Sequence, residues 1–131
     1  MAGLATNVSG SMKMSNIANI IGVMFMSRTY SHMAHLKTSS YSKHKALNKF
    51  YDNVVDLADD LAEAAQGTVG KLDIPFIGME GEVLDPITAL TGHLSRIEGY
   101  ASTCKEEYLK NIFQEIQALY RKTLYLMKEL D

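Results

Sequence analysis

The chain has 131 residues, a formal net charge of −2 at pH 7, one cysteine and no tryptophan. This length predicts a single domain that can bury a core without disulfides, and the lone Cys104 excludes an internal disulfide and fits a reducing compartment. A near-neutral charge without a run of Lys or Arg excludes the footprint of strong nucleic-acid binding. The apolar stretch 17–26 is too short for a membrane span, so the sequence predicts a cytoplasmic protein.

The first part of the chain predicts a flexible arm followed by a helix. Residues 1–14 are small and polar, as in a loose N-terminal arm. Ser15 is a candidate N-cap for the first helix, and a Ser/Thr cluster at 38–40 is expected to end it. The buried face of this helix is predicted from residues that recur at helical spacing: Ile17, Ile20, Ile21, Met24, Arg28, Ser31 and His35.

A second helix is predicted from 41 to about 66, with Ser40 as its N-cap and Gly67 as its stop. One arc of this helix is apolar, and His44 lies on the border between that arc and a polar one. The polar arc consists of Asn48, Asp52, Asp56, Asp59 and Glu63.

Residues 67–84 contain several glycines and Pro75, and this segment is long enough to cross a bundle from one end to the other. Asp85 and Pro86 predict the start of a third helix. A capping box at Thr103 and Glu106 predicts a fourth helix that runs to the C-terminus. Its buried face is predicted from Tyr108, Ile112, Ile116, Leu119, Thr123, Leu126 and Leu130. The pattern predicts an all-α protein, with a single domain over 15–131, built as a ferritin-like four-helix bundle with a long crossover between helices 2 and 3.

The stretch 32–67 holds three of the four histidines and an acidic box, so it is the candidate metal site. Asp59 and Glu63 are four residues apart and share a helical face, and carboxylates with imidazoles suit iron, manganese or zinc. His44 precedes Asp59 by fifteen residues, roughly 22 Å along a helix, so one helix cannot bring both to one metal ion. A second, antiparallel copy with a two-fold axis near residues 52–53 would, which predicts a homo-oligomer built from two-fold dimers. The dimer is expected to pack through the second helix and the apolar segment 72–77.

This stretch resembles the Dps-type mini-ferritins, whose iron oxidation site lies between two subunits. The matching residues are His32 or His35, then Tyr41 and His44, then Asp59, Ala62 and Glu63. The resemblance implies iron as the cofactor and His32, His35, His44, Asp59 and Glu63 as candidate metal ligands, with His32 and His35 as alternatives for the first ligand. It leaves ferroxidase-like activity open, because Asn48 stands where the family usually has an acid, and the Trp and Gly of the family's interhelical loop are missing. The pattern is also similar to small ferritin-like proteins of tailed phages, which would place it in the host cytoplasm or the virion.

The alternative interpretation is a metal-free helical bundle with a structural or interaction role. An acidic arc opposite an apolar arc is commonly the solvent side of a helix. In that interpretation His35 is a hydrogen-bonded core histidine and His93 is a surface residue. Arg28 pairs with a buried acid such as Glu63 or Glu98, or its charge takes the place of the metal. Cys104 lies near a predicted helix start, where a thiol pKa can be lowered, but no base is found beside it in the sequence.

Overall fold

The computed structural model describes residues 7–8, 12–78 and 85–129. A pair of two-residue antiparallel strands, β1 (Asn7–Val8) and β2 (Met12–Lys13), precedes four helices. The helices are α1 (Met14–Lys37), α2 (Tyr41–Val69), α3 (Pro86–Ala101) and α4 (Glu107–Glu129). The prediction of an all-α protein with four helices is confirmed. Within the described ranges no helix has the length and apolar character that a membrane span requires.

The four helices surround one core. α1 packs against α2 and α3, and α4 packs against the same two helices, so α1 and α4 lie diagonally opposite each other. Near the start of α2, the ring of Phe50 meets that of Tyr120, with centroids 4.9 Å apart. Near the end of α2, Thr68 Oγ1 lies 2.7 Å from the hydroxyl of Tyr108 at the start of α4. These two contacts show that α2 and α4 run antiparallel.

The connection from α2 to α3 joins opposite ends of the molecule. Only the five residues 102–106 separate the end of α3 from the start of α4, and α4 begins beside the end of α2, so α3 begins at the opposite end of the bundle, which holds the α1–α2 turn. α2 ends at the other end, beside the start of α4. On its way the chain crosses the middle of α1 at Gly22, where a Cβ atom would lie 2.8 Å from the backbone oxygen of Pro75.

Three predicted helix boundaries are confirmed. α1 ends at Lys37, directly before the Ser/Thr cluster. The hydroxyl of Ser40 accepts the backbone N–H of Lys43 at 3.2 Å and caps α2. The carboxylate of Asp85 accepts the backbone N–H of Thr88 at 3.2 Å and caps α3, whose first residue is Pro86.

Three other boundaries were predicted wrongly. α1 begins at Met14, so Ser15 lies inside the helix and Lys13 occupies the cap position without a side-chain bond. α2 continues through Gly67 and ends before Gly70, whose φ of 90° suits glycine alone among common residues. The Thr103–Glu106 capping box fails because α4 begins only at Glu107.

Tertiary contacts explain why α2 ends later than predicted, and a turn explains why α4 begins later than predicted. The extra turn of α2 brings Thr68 to Tyr108 and lets the Gln66 side chain accept the backbone N–H of Leu72 at 3.0 Å. These bonds offset the modest cost of a glycine inside a helix. Before α4, the backbone N–H of Cys104 bonds the carbonyl of Ala101 at 3.0 Å, which forms a turn where the capping box predicts helix.

The buried face of α4 was also predicted wrongly in part. The predicted stripe shares only Ile116 and Thr123 with the buried set, and Tyr108 is exposed. The buried residues are Leu109, Phe113, Ile116, Tyr120, Thr123, Leu124 and Met127. α4 carries two neighbouring apolar stripes that are shifted by one residue, which is about 100° around the helix. Periodicity alone does not show which stripe is buried. The contact of Tyr120 with Phe50 shows that the stripe containing Tyr120 faces the core.

The predicted N-terminal arm is described only at β1 and β2, which pair Asn7 with Lys13 and Val8 with Met12. Residues 1–6 and 9–11 lie outside the described part, as do the C-terminal residues 130–131. Flexibility of the arm therefore stays a prediction.

Gly22→Ala should lower the free energy of unfolding by about 1–3 kcal/mol, because the added methyl group forces α1 and the crossing chain apart. Gly67→Ala is the matched control, since it lies inside α2 with open space around its Cα. It should stabilise the protein by up to about 1 kcal/mol through helix propensity. Urea unfolding followed by circular dichroism measures both, and equal effects of the two substitutions would contradict the close approach at Gly22.

Candidate functional site

The end of α1 and the start of α2 bring three histidines and one tyrosine together. The rings of His35 and His44 are stacked, with centroids 3.6 Å apart and planes 23° apart. The ring of His32 stacks on that of Tyr51 at 4.1 Å and 15°. His32 and His35 lie edge to face at 6.1 Å, so this histidine cluster, His32, His35, His44 and Tyr51, is one continuous set of ring contacts.

His35 and His44 are held by reciprocal hydrogen bonds. Nδ1 of His35 lies 2.7 Å from the backbone oxygen of His44, and Nδ1 of His44 lies 2.9 Å from the backbone oxygen of His35. A carbonyl oxygen only accepts, so both Nδ1 atoms carry the hydrogen. In the neutral ring, the free lone pair is then on Nε2 of each histidine. The His44 side chain also satisfies one of the last carbonyls of α1, which has no partner within the helix.

Asn48 belongs to a hydrogen-bonded chain on the same face of α2. The hydroxyl of Tyr51 donates to Oδ1 of Asn48 at 2.7 Å, and Nδ2 of Asn48 donates to Oδ2 of Asp52 at 3.2 Å. A carboxylate at position 48 has no N–H group and could not donate to Asp52. Asn48 thus orients the tyrosine that stacks on His32.

The two predicted carboxylate ligands are not brought to the histidines within one chain. Asp59 and Glu63 are exposed on α2, and the helix places Asp59 roughly 22 Å from His44 along its axis. Among residues 7–8, 12–78 and 85–129, no group of three or more His, Cys, Asp or Glu side chains is placed to hold a metal ion. The structure therefore assembles the histidine half of the predicted site and leaves the carboxylate half separate and open to solvent.

A second polar cluster lies in the core, and the sequence prediction for one of its residues was wrong. His93, predicted at the surface, is only 6% exposed. Tyr120 donates its hydroxyl hydrogen to Oγ of Ser27 at 2.6 Å, and Ser27 Oγ lies 2.8 Å from Nδ1 of His93. The Ser27 hydroxyl donates to His93 when the hydrogen of the neutral ring is on Nε2, and it accepts when that hydrogen is on Nδ1. A signal for burial was present, because His93 is three residues after Leu90 and four before Ile97, both on the buried face of α3.

This core network is electrically neutral. Burial, followed by the nearby charge of Arg96, lowers the pKa of His93 to about 4. Burial raises the pKa of the Tyr120 phenol, and the Ser27 hydrogen bond opposes that rise. At neutral pH both side chains are uncharged, because burial disfavours their charged forms.

The predicted partners of Arg28 were wrong, and Cys104 does not have the lowered pKa that a helix start can give. Glu98 pairs with Arg121 on α4, with Oε2 and the guanidinium nitrogen 2.5 Å apart, and in the described part of the chain Arg28 forms no ion pair with Glu98 or Glu63. The Cys104 thiol is buried, and burial is the main cause that raises its pKa. A thiol with a raised pKa is a poor nucleophile at neutral pH.

These features define an all-helical protein of four helices with a histidine-rich corner between the first two. The chain belongs to a family of unknown function (DUF5856), whose profile matches residues 35–127. It is similar to an uncharacterised 14.6 kDa protein from the mobD–ri intergenic region of Enterobacteria phage T4, with 32% identity over 72 residues. That match covers 55% of this chain and 56% of the phage protein, so it spans little more than half of each. No solved structure matches the chain.

Acid should destabilise this protein in a way that depends on His93. The pKa of His93 is about 4 in the folded state and near 6.5 in the unfolded chain, so between these values the unfolded chain binds more protons. The contribution of neutral His93 to the free energy of unfolding is fully present above pH 6.5. It is lost as the pH falls to 4, and the loss amounts to up to about 3 kcal/mol. Urea unfolding at pH 7.5, 6.0 and 4.5 measures the loss.

His93→Gln is the control for that titration, since its amide oxygen can accept from Ser27 but does not titrate. It should be less stable at pH 7.5 and should lose less stability than the parent on acidification. If the free energy of unfolding fell equally with pH in the parent and the variant, the acid sensitivity would not come from His93.

Proposed function

We propose that this protein is a ferritin-like, phage-type helical bundle that binds a divalent metal ion, iron in the first place, between two copies of the chain. The observation that carries the proposal is the histidine cluster. α1 and α2 bring His32, His35 and His44 together, and the backbone bonds of His35 and His44 hold their Nδ1 atoms and leave Nε2 for a ligand. Histidines that ligate metals are commonly oriented by such a bond from the other ring nitrogen.

The partner copy would supply the carboxylates. Asp59 and Glu63 are exposed, and neither makes a salt bridge or side-chain hydrogen bond within the described ranges. A two-fold axis near residues 52–53 would bring them to the histidine cluster of the second chain and would build each site twice. Two carboxylates would offset the charge of a divalent ion, and neutral imidazoles would complete the ligand set.

The arrangement of the helices supports the ferritin-like part of the proposal. Ferritin-like bundles contain one long crossover connection, and the connection between α2 and α3 joins opposite ends of this molecule. The proposal covers metal binding and not oxidative turnover, because Asn48 supplies an amide and is engaged by Tyr51 and Asp52.

A second candidate is a metal-free bundle that acts by binding another macromolecule. It is favoured by the lack, within the described part of one chain, of three ligating side chains placed around a common point. In this function the histidine cluster only stabilises the α1–α2 turn, and the acidic arc of α2 is a solvated surface. The two candidate functions differ in whether the protein binds a metal ion and is stabilised by it.

The proposed dimer predicts a sedimentation mass of at least twice that of the 14.5 kDa chain at micromolar concentration. Association should bury the face of α2 and the segment 72–77, where Phe76 is fully exposed. Sedimentation equilibrium over a tenfold range of concentration measures the mass. A stable monomer throughout would remove both the interface and the shared metal site.

Ferrous iron, added without oxygen, should raise the melting temperature by several degrees. A ligand that binds only the folded protein stabilises it by about 2.7 kcal/mol when its free concentration is about 100 times Kd. The combined substitutions Asp59→Asn and Glu63→Gln should abolish this rise and leave the helix content unchanged, since both residues are exposed. Thermal unfolding followed by circular dichroism, with metal content by elemental analysis, measures the effect.

Asp60→Asn is the matched control, because Asp60 is also exposed on α2 but points about 100° away from Asp59. It should respond to iron as the parent does. If the parent shows no shift, or if the Asp59 and Glu63 variant responds equally, the metal-free candidate is the better one. His44→Ala is a less direct test, since it also removes the cap of α1.

A further inference from the structure

A cavity of about 1070 Å³ opens beside α1, between that helix, the segment 74–78 and the start of α3. No member of the histidine cluster lines it. Its apolar walls include Phe25, Met26, Met33, Leu47, Ile74 and Ile77. Binding sites for small molecules reach volumes of about 1000 Å³ and are mainly apolar with a few polar groups, and this cavity has that character.

The hydroxyl of Tyr30 supplies the first polar group. Tyr30 lines the cavity and is only 6% exposed, and its hydroxyl is the one buried side-chain N or O atom of the described residues without a hydrogen-bond partner. The ring lies edge-on to His93, with centroids 6.2 Å apart, which fixes its position. Burial, and then the charge of Asp85, raises the pKa of Tyr30, so the phenol stays protonated and able to donate. Buried hydroxyls normally have a hydrogen-bond partner, and this one is able to donate to an acceptor that enters the cavity.

Two lysines supply the second polar feature. Lys37, in the last turn of α1, and Lys43, in the first turn of α2, both border the cavity, and neither forms an ion pair within the described ranges. The acid on the opposite rim, Asp85, is engaged by the backbone N–H and the hydroxyl of Thr88 at 3.2 and 3.4 Å. Asp85 keeps its negative charge at the opposite rim, whereas the two lysines make the rim near the α1–α2 turn cationic, so an anionic group is favoured at the lysine end.

We propose that this cavity binds an amphiphile with an acyl chain and a carboxylate head. The acyl chain lies along the apolar walls, the carboxylate pairs with Lys37 and Lys43, and a carboxyl oxygen of the ligand accepts the hydrogen of the Tyr30 hydroxyl. The cavity and the histidine cluster share no residue, but the segment 74–77 that lines the cavity also belongs to the proposed dimer interface.

The test is a fluorescence titration of the full chain with cis-parinaric acid and with its methyl ester, which keeps the carboxyl oxygen but has no charge. The acid should bind at micromolar concentrations, and the ester several-fold more weakly. Lys37→Gln with Lys43→Gln should weaken the acid to the level of the ester and leave the ester unchanged. Tyr30→Phe should weaken both probes by about three- to tenfold, as the loss of one hydrogen bond does.

The matched controls are Tyr125→Phe and Lys49→Gln, which lie on exposed parts of α4 and α2 away from the cavity. They should bind both probes as the parent does, and circular dichroism confirms that every variant is folded. No saturable binding by the parent, or equal binding by Tyr30→Phe and the parent, would overturn the proposal. Loss of probe binding as the protein concentration rises would assign the groove to a second copy of the chain instead.

Discussion

The hydroxyl group of Ser27 constrains how three of the four helices pack in the core. It accepts a hydrogen bond from Tyr120 of α4 and lies within bonding distance of His93 of α3, so one atom of α1 joins three helices in the core. Each helix advances about 100° per residue, so a shift of one residue in any of the three would leave buried polar groups unpaired. Because such groups cost about 1–3 kcal/mol each, this network fixes the register that apolar packing alone leaves loose.

Local signals in the sequence predicted the helices and some of their ends, but not the partners of buried polar residues. Ser40 and the Asp85–Pro86 pair act through neighbouring backbone, and both boundaries are confirmed. His93 was assigned to the surface because its partner, Ser27, is 66 residues away in the chain. The face of α4 was misplaced for the same reason, since the contacts of Tyr120 with Phe50 and Ser27 decide it.

Half of the candidate site could be predicted from the sequence. The spacing of His35 and His44 around a helix break places them at one corner. His35 is hydrogen-bonded and buried, as the alternative interpretation expected, and its role as a metal ligand stays a prediction. The bond of Asn48 to Tyr51 follows from their separation of three residues on one helix. A metal site that joins the histidines to Asp59 and Glu63 needs a second chain. The residues of one chain do not specify where that second chain lies.

The reciprocal bonds between His35 and His44 also bear on the order in which the molecule acquires its contacts. They close a loop of nine residues, whereas the bond of Ser27 to Tyr120 closes one of 93. With the closure entropy growing as (3/2)RT ln n, the long loop costs about 2 kcal/mol more than the short one. The α1–α2 corner can therefore form while most of the chain is still disordered. The contacts of Ser27 with α3 and α4 become favourable only later, when the formed hairpin has lowered the entropy cost of closing the longer loop.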